Sequence, residues 1–348
     1  MVSLIISCIG LMGWKRLQAQ KAQTSGEHKF NTEHEETINK CKQTHSLGLS
    51  WGVCENIGPR DSMEDAHCVK SSSELFYASV FDGHGGSSSS DFLRLNMYNF
   101  LLSELAQNKK KLDRDCSFEE MNSNASDIAD IMNRAFSSAD GELIDHIATL
   151  GDPECWSGST ATVCTVSRTL IICSNVGDSK AVLCRKSKTI ELSNDHRPIS
   201  SSASGRSEIK RVHESGAWIS QSRVCGMLAV SRALGDYEFK GGRFELLDEL
   251  RSTEDKYAMK ASLENPPVIS IPHVSTTLRS QYDEFIVIAT DGLWDTMNST
   301  QAITFVRTEL KNKPSITMQA VAEALVQRAL RCRTQDNVAC VVIDLRSA

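Results

Sequence analysis

Proline is scarce, at seven residues in 348, and no Gly/Ser-rich or Pro-rich stretch divides the chain into halves. A tether between two domains of equal weight is therefore not expected, while the length suffices for one large core. No basic run stands out and the net charge is −6, so a nucleic-acid surface is not expected either. None of the 12 cysteines falls in a C-x-x-C pair, which removes the usual signature of a zinc site or a dithiol redox motif. Cys164, Cys173, Cys184 and Cys340 lie inside apolar runs, where a thiol behaves as a small hydrophobe. The scatter of cysteines points to a reduced, intracellular protein, cytoplasmic or nuclear. No internal repeat is visible.

An apolar run of membrane-spanning length is also lacking. Val2 to Trp14 is nearly all apolar and is followed by Lys15, Arg16 and Lys21, but a span needs about 20 residues. No positive residue precedes this stretch and no clean small-x-small cleavage site comes after it. Two readings stay open. Residues 1–14 contact a membrane, with the following positive charges keeping the rest of the chain cytoplasmic, or they form a tail without a packed role. The polar residues after them read as a linker. The chain therefore divides into an N-terminal extension, residues 1–44, and one folded domain, residues 45–346.

What the domain has is short runs rich in Val, Ile and Thr. Strands are expected at residues 49–54, 75–81, 160–166, 170–176, 181–185, 285–289 and 338–344. Residues 169–185 read as a hairpin turning on Gly177-Asp178-Ser179-Lys180. Helical spacing of apolar residues appears at 87–106, 126–150, 208–214, 300–310 and 318–330, the fourth opened by a Ser299-Thr300 cap. Strands cluster and helices cluster without strict alternation, which argues for an α+β fold with mainly antiparallel sheets. Residues 108–124 read as a polar loop and 200–206 as a mobile Ser/Gly segment. Residues 241–267 form a long charged insertion in which Leu246, Leu247, Leu250 and Met259 could support a surface helix.

The chemistry lies at the ends of the apolar runs. Val80-Phe81 leads into Asp82-Gly83-His84-Gly85-Gly86, and Ile288-Ala289-Thr290 into Asp291-Gly292-Leu293-Trp294-Asp295. Gly177-Asp178 comes after another strand, Asp336-Asn337 precedes the last one, and Glu64-Asp65 stands near the start. A carboxylate at a buried strand end is costly unless compensated. Four or five of one sign, if they converge, repel one another unless cations sit between them. Carboxylates without His or Cys partners at metal spacing point to hard cations, Mg²⁺ or Mn²⁺. Two such ions about 4 Å apart can activate a water for in-line attack on phosphorus. Gly83, Gly85 and Gly86 permit close backbone approach and positive φ, and the Gly83 carbonyl could itself ligate. His84 could protonate a leaving alkoxide, and Arg60 offers a planar fork for phosphate. Taken singly, Asp178 reads equally well as a turn residue, Asp295 as a helix cap, and Gly235-Asp236 as the end of a helix or turn. Trp294 reads as core.

These residues stand in motifs with a familiar order. They are Arg60-Asp-Ser-Met-Glu64-Asp65-Ala-His, Val80-Phe-Asp82-Gly83-His84-Gly-Gly, Gly158-Ser-Thr-Ala-Thr, Val176-Gly177-Asp178-Ser179, Asp195-His196-Arg197-Pro198, Leu228-Ala-Val-Ser-Arg-Ala-Leu-Gly235-Asp236, Ala289-Thr-Asp291-Gly-Leu-Trp-Asp295 and Asp336-Asn337. In this the chain resembles the protein phosphatase 2C family, the metal-dependent protein phosphatases, from about Leu47 to Leu345. The resemblance implies a four-layer sandwich, two central antiparallel β-sheets flanked by helices, and makes residues 45–346 the catalytic domain. It implies hydrolysis of phosphoserine and phosphothreonine in proteins by a metal-activated water at a binuclear Mg²⁺ or Mn²⁺ centre, without a phosphoenzyme.

By the same resemblance Asp82 bridges the two ions. Gly83 and Glu64 serve one ion, Asp291 and Asp336 the other, and Asp65 holds metal-bound waters. Asp178 and Asp295 match positions that hold a weaker third ion in some members. Arg60 binds the phosphate and His84 is the general acid. Residues 197–240 match the flap beside the site. The expected partners are phosphorylated protein substrates, met by a monomer. Departures from the family pattern are Gly216-Ala217 in place of Gly-Gly, Cys225 in place of Asn, a longer flap entry at 200–206 and the 241–267 insertion. Cys225 is expected to pack rather than to react, since reactivity needs a depressed thiol pKa. A non-catalytic binding module would have lost metal carboxylates, whereas all are present. A phosphatase of a small phosphorylated metabolite fits the motifs too, but the length and flap favour protein substrates.

Overall fold

The computed structural model describes residues 47–111, 125–150 and 154–346. The expected N-terminal extension, residues 1–44, lies outside these residues, as does the expected polar loop except for its first four positions. Residues 108–111 of that loop are instead the last turn of helix Ser88–Lys111.

Two antiparallel sheets form the centre. The smaller runs in the order β1 (Ser50–Asn56), β14 (Val338–Asp344), β13 (Asp283–Ala289), β7 (Lys180–Arg185) and β8 (Lys188–Glu191). The larger is built on β3 (Phe76–His84), which pairs with β2 (Asp65–Ser71) along one edge and with β4 (Gly158–Ser159) and β5 (Ala161–Val166) along the other. From β5 it continues to β6 (Leu170–Val176) and β12 (His273–Leu278), while β11 (Leu234–Gly235) joins β4. Alternate side chains of a strand point to opposite faces, and the core divides accordingly. Ala78, Val80, Cys164 and Cys173 of one sheet meet Leu183, Ile286, Ile288 and Val341 of the other between the sheets. Tyr77, Phe81, Val163 and Ile172 face outward onto helices Ser88–Lys111 and Ala125–Ile147. Val182, Val287 and Val342 face outward onto helices Ser299–Asn312 and Met318–Arg331. The expected four layers are thus present. Each large apolar side chain buried in them contributes about 1.5–3 kcal/mol.

Several local expectations are corrected. Residues 169–185 are not a hairpin: β6 belongs to the larger sheet and β7 to the smaller. Both strands are buried along nearly their whole length and pair with other partners, so a tight turn between them serves to change sheets. The helix beginning at Ser299 is capped by Asn298, not by Ser299-Thr300. Asn298 Oδ1 accepts from the Gln301 N–H at 2.9 Å, and Gln301 Oε1 accepts from the Asn298 N–H at 2.9 Å, a reciprocal capping box. Residues 200–206 are not a free segment either. Ser202 accepts from the Gly205 N–H at 2.9 Å and starts helix Ala203–Glu214 five residues before the expected position.

The flap carries a short antiparallel pair, β9 (Ile219–Ser220) and β10 (Arg223–Val224), and a smaller core holds it together. Val212, Trp218, Val224, Cys225 and Phe239 pack with Leu246, Leu247, Ala258 and Leu263. The 241–267 insertion therefore does carry a helix, Arg243–Ser252, whose Leu246 and Leu247 are buried under the flap while Met259 stays exposed.

Candidate metal centre

Five chain segments bring carboxylates to one end of the sandwich. Asp65 opens β2 directly opposite Asp82 near the end of β3. Asp178 lies in the sheet-changing turn between β6 and β7, Asp291 begins a short helix after β13, and Asp336 precedes β14. One carboxylate oxygen from each of Asp82, Asp178 and Asp291 lies within 4.8 Å of the others. Asp178, read singly as a turn residue, thus stands inside the tight group. Asp336 stands beside it, paired with Arg60 at 2.7 Å. These residues line an open cleft of ≈ 580 Å³ with Glu64, Gly83, His84 and, from the flap, Arg223, Leu228 and Val230.

The electrostatics are those of a site short of positive charge. Burial, then Asp65, Asp291 and Asp178, push the Asp82 carboxyl well above its ordinary range. Asp65 is raised to about 8 by burial and by Asp291 and Asp336, against the 2.7 Å hydrogen bond it accepts from Thr290 Oγ1. Asp291 is raised to about 7 by burial and Asp178, partly offset by Arg197. Like charges this close cannot all ionise without cations. The oxygen-only donor set and the convergence of three carboxylates fit a hard divalent cation.

The supporting contacts come from the loop 57–64. Asn337 donates from Nδ2 to the Ile57 carbonyl at 2.8 Å and to the Ser62 carbonyl at 3.0 Å, and accepts from the Glu64 N–H at 2.7 Å. That fastens Glu64 beside Gly83, whose N–H donates to the Glu64 carbonyl at 3.2 Å. Gly85 and Gly86 have positive φ, as expected, but Gly83 does not. A Cβ on Gly83 would instead come within 2.5 Å of the Glu64 carbonyl oxygen, so close approach is its requirement. Arg60 donates from Nε to the Gln335 carbonyl at 2.8 Å and from one terminal nitrogen to Asp336, while its other terminal nitrogen has no partner among the described residues. Asp295 does not cap the next helix; its carboxylate accepts from Arg197 at 3.0 Å. Trp294 is core, with its indole N–H on the Ala289 carbonyl at 2.8 Å.

Two residues without an assigned role prove central. Arg197 reaches Asp178 at 2.5 Å, Asp291 at 2.6 Å and Asp295 at 3.0 Å. Its signal in the sequence was its place in the Asp195-His196-Arg197-Pro198 motif. Asp236, read as a turn residue, is buried and meets His84 Nε2 at 2.7 Å. Burial opposes charge on the His84 ring, but the Asp236 carboxylate outweighs it and holds the pKa above its ordinary value. Cys225 packs as expected. It is buried in the flap core and its thiol is pushed up to about 12 by burial.

A family model described as Protein phosphatase 2C matches residues 49–338. The chain belongs to the protein phosphatase 2C family. Protein phosphatase 2C 57 of Arabidopsis thaliana is 37% identical over 303 residues, which cover 85% of this chain and 75% of that protein. Probable protein phosphatase 2C 22 of the same plant is 30% identical over 329 residues, covering 91% of this chain and 74% of its own. A crystal structure of a serine-threonine phosphatase 2C from Toxoplasma gondii shares the fold with a TM-score of 0.65 at 18% identity, over 85% of this chain and 94% of that one. This protein phosphatase 2C is accordingly a metal-dependent serine/threonine protein phosphatase, a hydrolase of the Mg²⁺/Mn²⁺ class acting on phosphoproteins.

Proposed function

We propose that this phosphatase hydrolyses phosphoserine and phosphothreonine at a binuclear centre held by Asp82, Gly83, Glu64, Asp291 and Asp336, with Asp65 behind it. The single observation that carries this is the convergence of carboxylates, in which Asp82 pairs in register with Asp65 and groups with Asp178 and Asp291. Mg²⁺ or Mn²⁺ bound there supplies Lewis acidity toward the phosphoryl oxygens and lowers the pKa of the attacking water.

The chain's own residues do the rest. The unpartnered Arg60 nitrogen receives a phosphoryl oxygen, and the Asp336 contact fixes the plane of the fork. His84, held by Asp236 at 2.7 Å, gives its proton to the leaving serine or threonine oxygen. Asp65 is fixed by Thr290, leaving its second oxygen to orient water toward Asp82. A weaker third ion at Asp178 and Asp295 would have to share those carboxylates with Arg197. Every cysteine among the described residues is free, which supports a reducing, intracellular setting.

Activity on a phosphothreonine peptide is expected to require added Mg²⁺ or Mn²⁺ and to vanish on chelation. Asp82→Asn should lower turnover by orders of magnitude, as expected when the group that generates the nucleophile is lost. Undiminished turnover in that variant would refute the site. Mn²⁺ titration followed by electron paramagnetic resonance should count two tight ions in the wild type.

A further inference from the structure

We propose that Asp236 is the positioning residue for His84, holding the ring by Nε2 so that Nδ1 is the nitrogen that protonates the leaving oxygen. This deepens the reading of His84 as general acid and rests on it.

The contact is one-sided. Asp236 is 1% exposed, whereas the His84 side chain is 29% exposed and borders the cleft. The closed side of the ring is therefore the Nε2 side, where Asp236 Oδ1 lies at 2.7 Å. Nδ1 has no hydrogen-bond partner among the described residues. Asp236 itself is poorly explained by local structure. It precedes the single turn Tyr237–Phe239 but its side chain does not cap it, and its backbone is left-handed at φ 48. That conformation costs a non-glycine residue energy, though Asp tolerates it better than most.

The surroundings are shaped to keep this pair. A Cβ at Gly158 would lie 2.3 Å from Asp236 Oδ1 and 2.4 Å from His84 Nε2, so only glycine leaves room. Gly158 pairs with His84 on one side and with Gly235 on the other, which sets the two partners across one short strand. Asp140 of helix Ala125–Ile147 accepts from the Gly235 N–H at 2.8 Å and from Lys240 Nζ at 2.6 Å, and Lys240 also donates to the Ala233 carbonyl at 3.0 Å. The segment carrying Asp236 is thus fastened at both ends to a buried ion pair.

The proton balance is simple. Water oxygen forms the new P–O bond, the bond to the serine or threonine oxygen breaks, that oxygen takes the Nδ1 proton, and the water's protons leave with the phosphate, one of them passing on to solvent. The neutral ring keeps its Nε2–H on Asp236, and Nδ1 is reprotonated from solvent. Carboxylates that orient metal-bound histidines matter by about 10–100-fold, and an effect of the same order is expected here.

The test is a double-mutant cycle on the full chain with saturating Mn²⁺, using a phosphothreonine peptide and p-nitrophenyl phosphate, whose leaving group needs no acid. Asp236→Asn is expected to lower kcat on the peptide about 10–100-fold with KM little changed, and to leave the aryl phosphate within about threefold. Added to His84→Ala, it should cause no further loss. Additive losses, or equal losses on both substrates from Asp236→Asn, overturn the proposal while leaving the acid role of His84 standing. Equal losses on both substrates from His84→Ala overturn that role and this proposal with it. Nitrogen-15 NMR of wild-type His84, assigned by comparison with His84→Ala, needs no folded Asp236 variant. At a pH high enough to neutralise the ring, the remaining proton is expected on Nε2, and a neutral ring protonated on Nδ1 with bare Nε2 would overturn the assignment.

Discussion

Arg197 does at residue scale what the acidic site needs before any ion arrives. Three carboxylates that would otherwise face one another share its guanidinium, and Asp178, the most buried of them, stays raised even so because burial dominates. Breaking a partly buried pair of this kind costs about 3 kcal/mol. Arg197→Met should therefore lower stability by that order in chelator, measured by urea unfolding. Saturating Mg²⁺ should recover most of the loss, because divalent cations then compensate the same carboxylates. An equal loss with and without Mg²⁺ would mean that Arg197 acts through the flap instead. The same scale explains Cys225. Its left-handed backbone, φ 52, is a conformation Asn tolerates better than Cys, yet the thiol is buried among Trp218 and Val224 and held far from thiolate formation.

At the scale of elements, the flap and the 241–267 insertion form one unit beside the site. Helix Ala203–Glu214 is tied down by Glu208, whose carboxylate is drawn down to about 2 by Arg232 and Arg211 against the effect of burial. Helix Arg243–Ser252 is held from below by Leu246 and Leu247, and Arg243 donates to the Leu263 carbonyl at 2.9 Å. Leu247→Ala should cost about 2–5 kcal/mol, and the loss should fall on this unit and not on the sandwich. Limited proteolysis is expected to cut within residues 203–268 first and to leave the two sheets intact. Uniform cleavage across the chain would show that the flap does not unfold on its own. The length of the insertion and its leucines were legible in the sequence. That those leucines pack under the flap was not, because spacing shows an apolar face without showing its partner.

For the whole molecule, stability should depend on pH and on metal together. In metal-free protein, Asp65 and Glu238 are raised to about 8 and Asp291 to about 7, all by burial foremost. Folded pKa values above the unfolded ones mean that the folded state holds more protons between those values, so stability falls as pH rises through them. His196, lowered to about 3 by burial and Arg232, acts in the opposite direction, but below its ordinary value near 6.5. Between pH 6.5 and 8 the carboxyls therefore govern. Thermal unfolding of the metal-free chain should shift to lower temperature across this window, with a slope of at most about 1.4 kcal/mol per pH unit for each proton released. With Mg²⁺ present the slope should flatten or reverse, since ion binding needs the carboxylates ionised. A metal-free chain equally stable at both pH values would contradict the proposed convergence of charge.

The sequence by itself determined the class of fold, the principal strands and helices, and the identity of the acidic residues. Period-two and helical spacing are local properties, and a carboxylate after a buried strand needs compensation wherever the strand goes. β2 is not legible in the sequence because Asp-Ala-His-Cys-Val-Lys-Ser has little continuous apolar character, and it is defined by its register on β3. Only the tertiary structure decided which acids meet, because that depends on the chain changing sheets at Gly177 where local turn chemistry suggests a hairpin. It likewise decided the roles of Arg197 and Asp236. An ion pair between residues far apart in sequence leaves no periodic trace, and its partners can be read only once the sheets and the flap have brought them within a few ångströms.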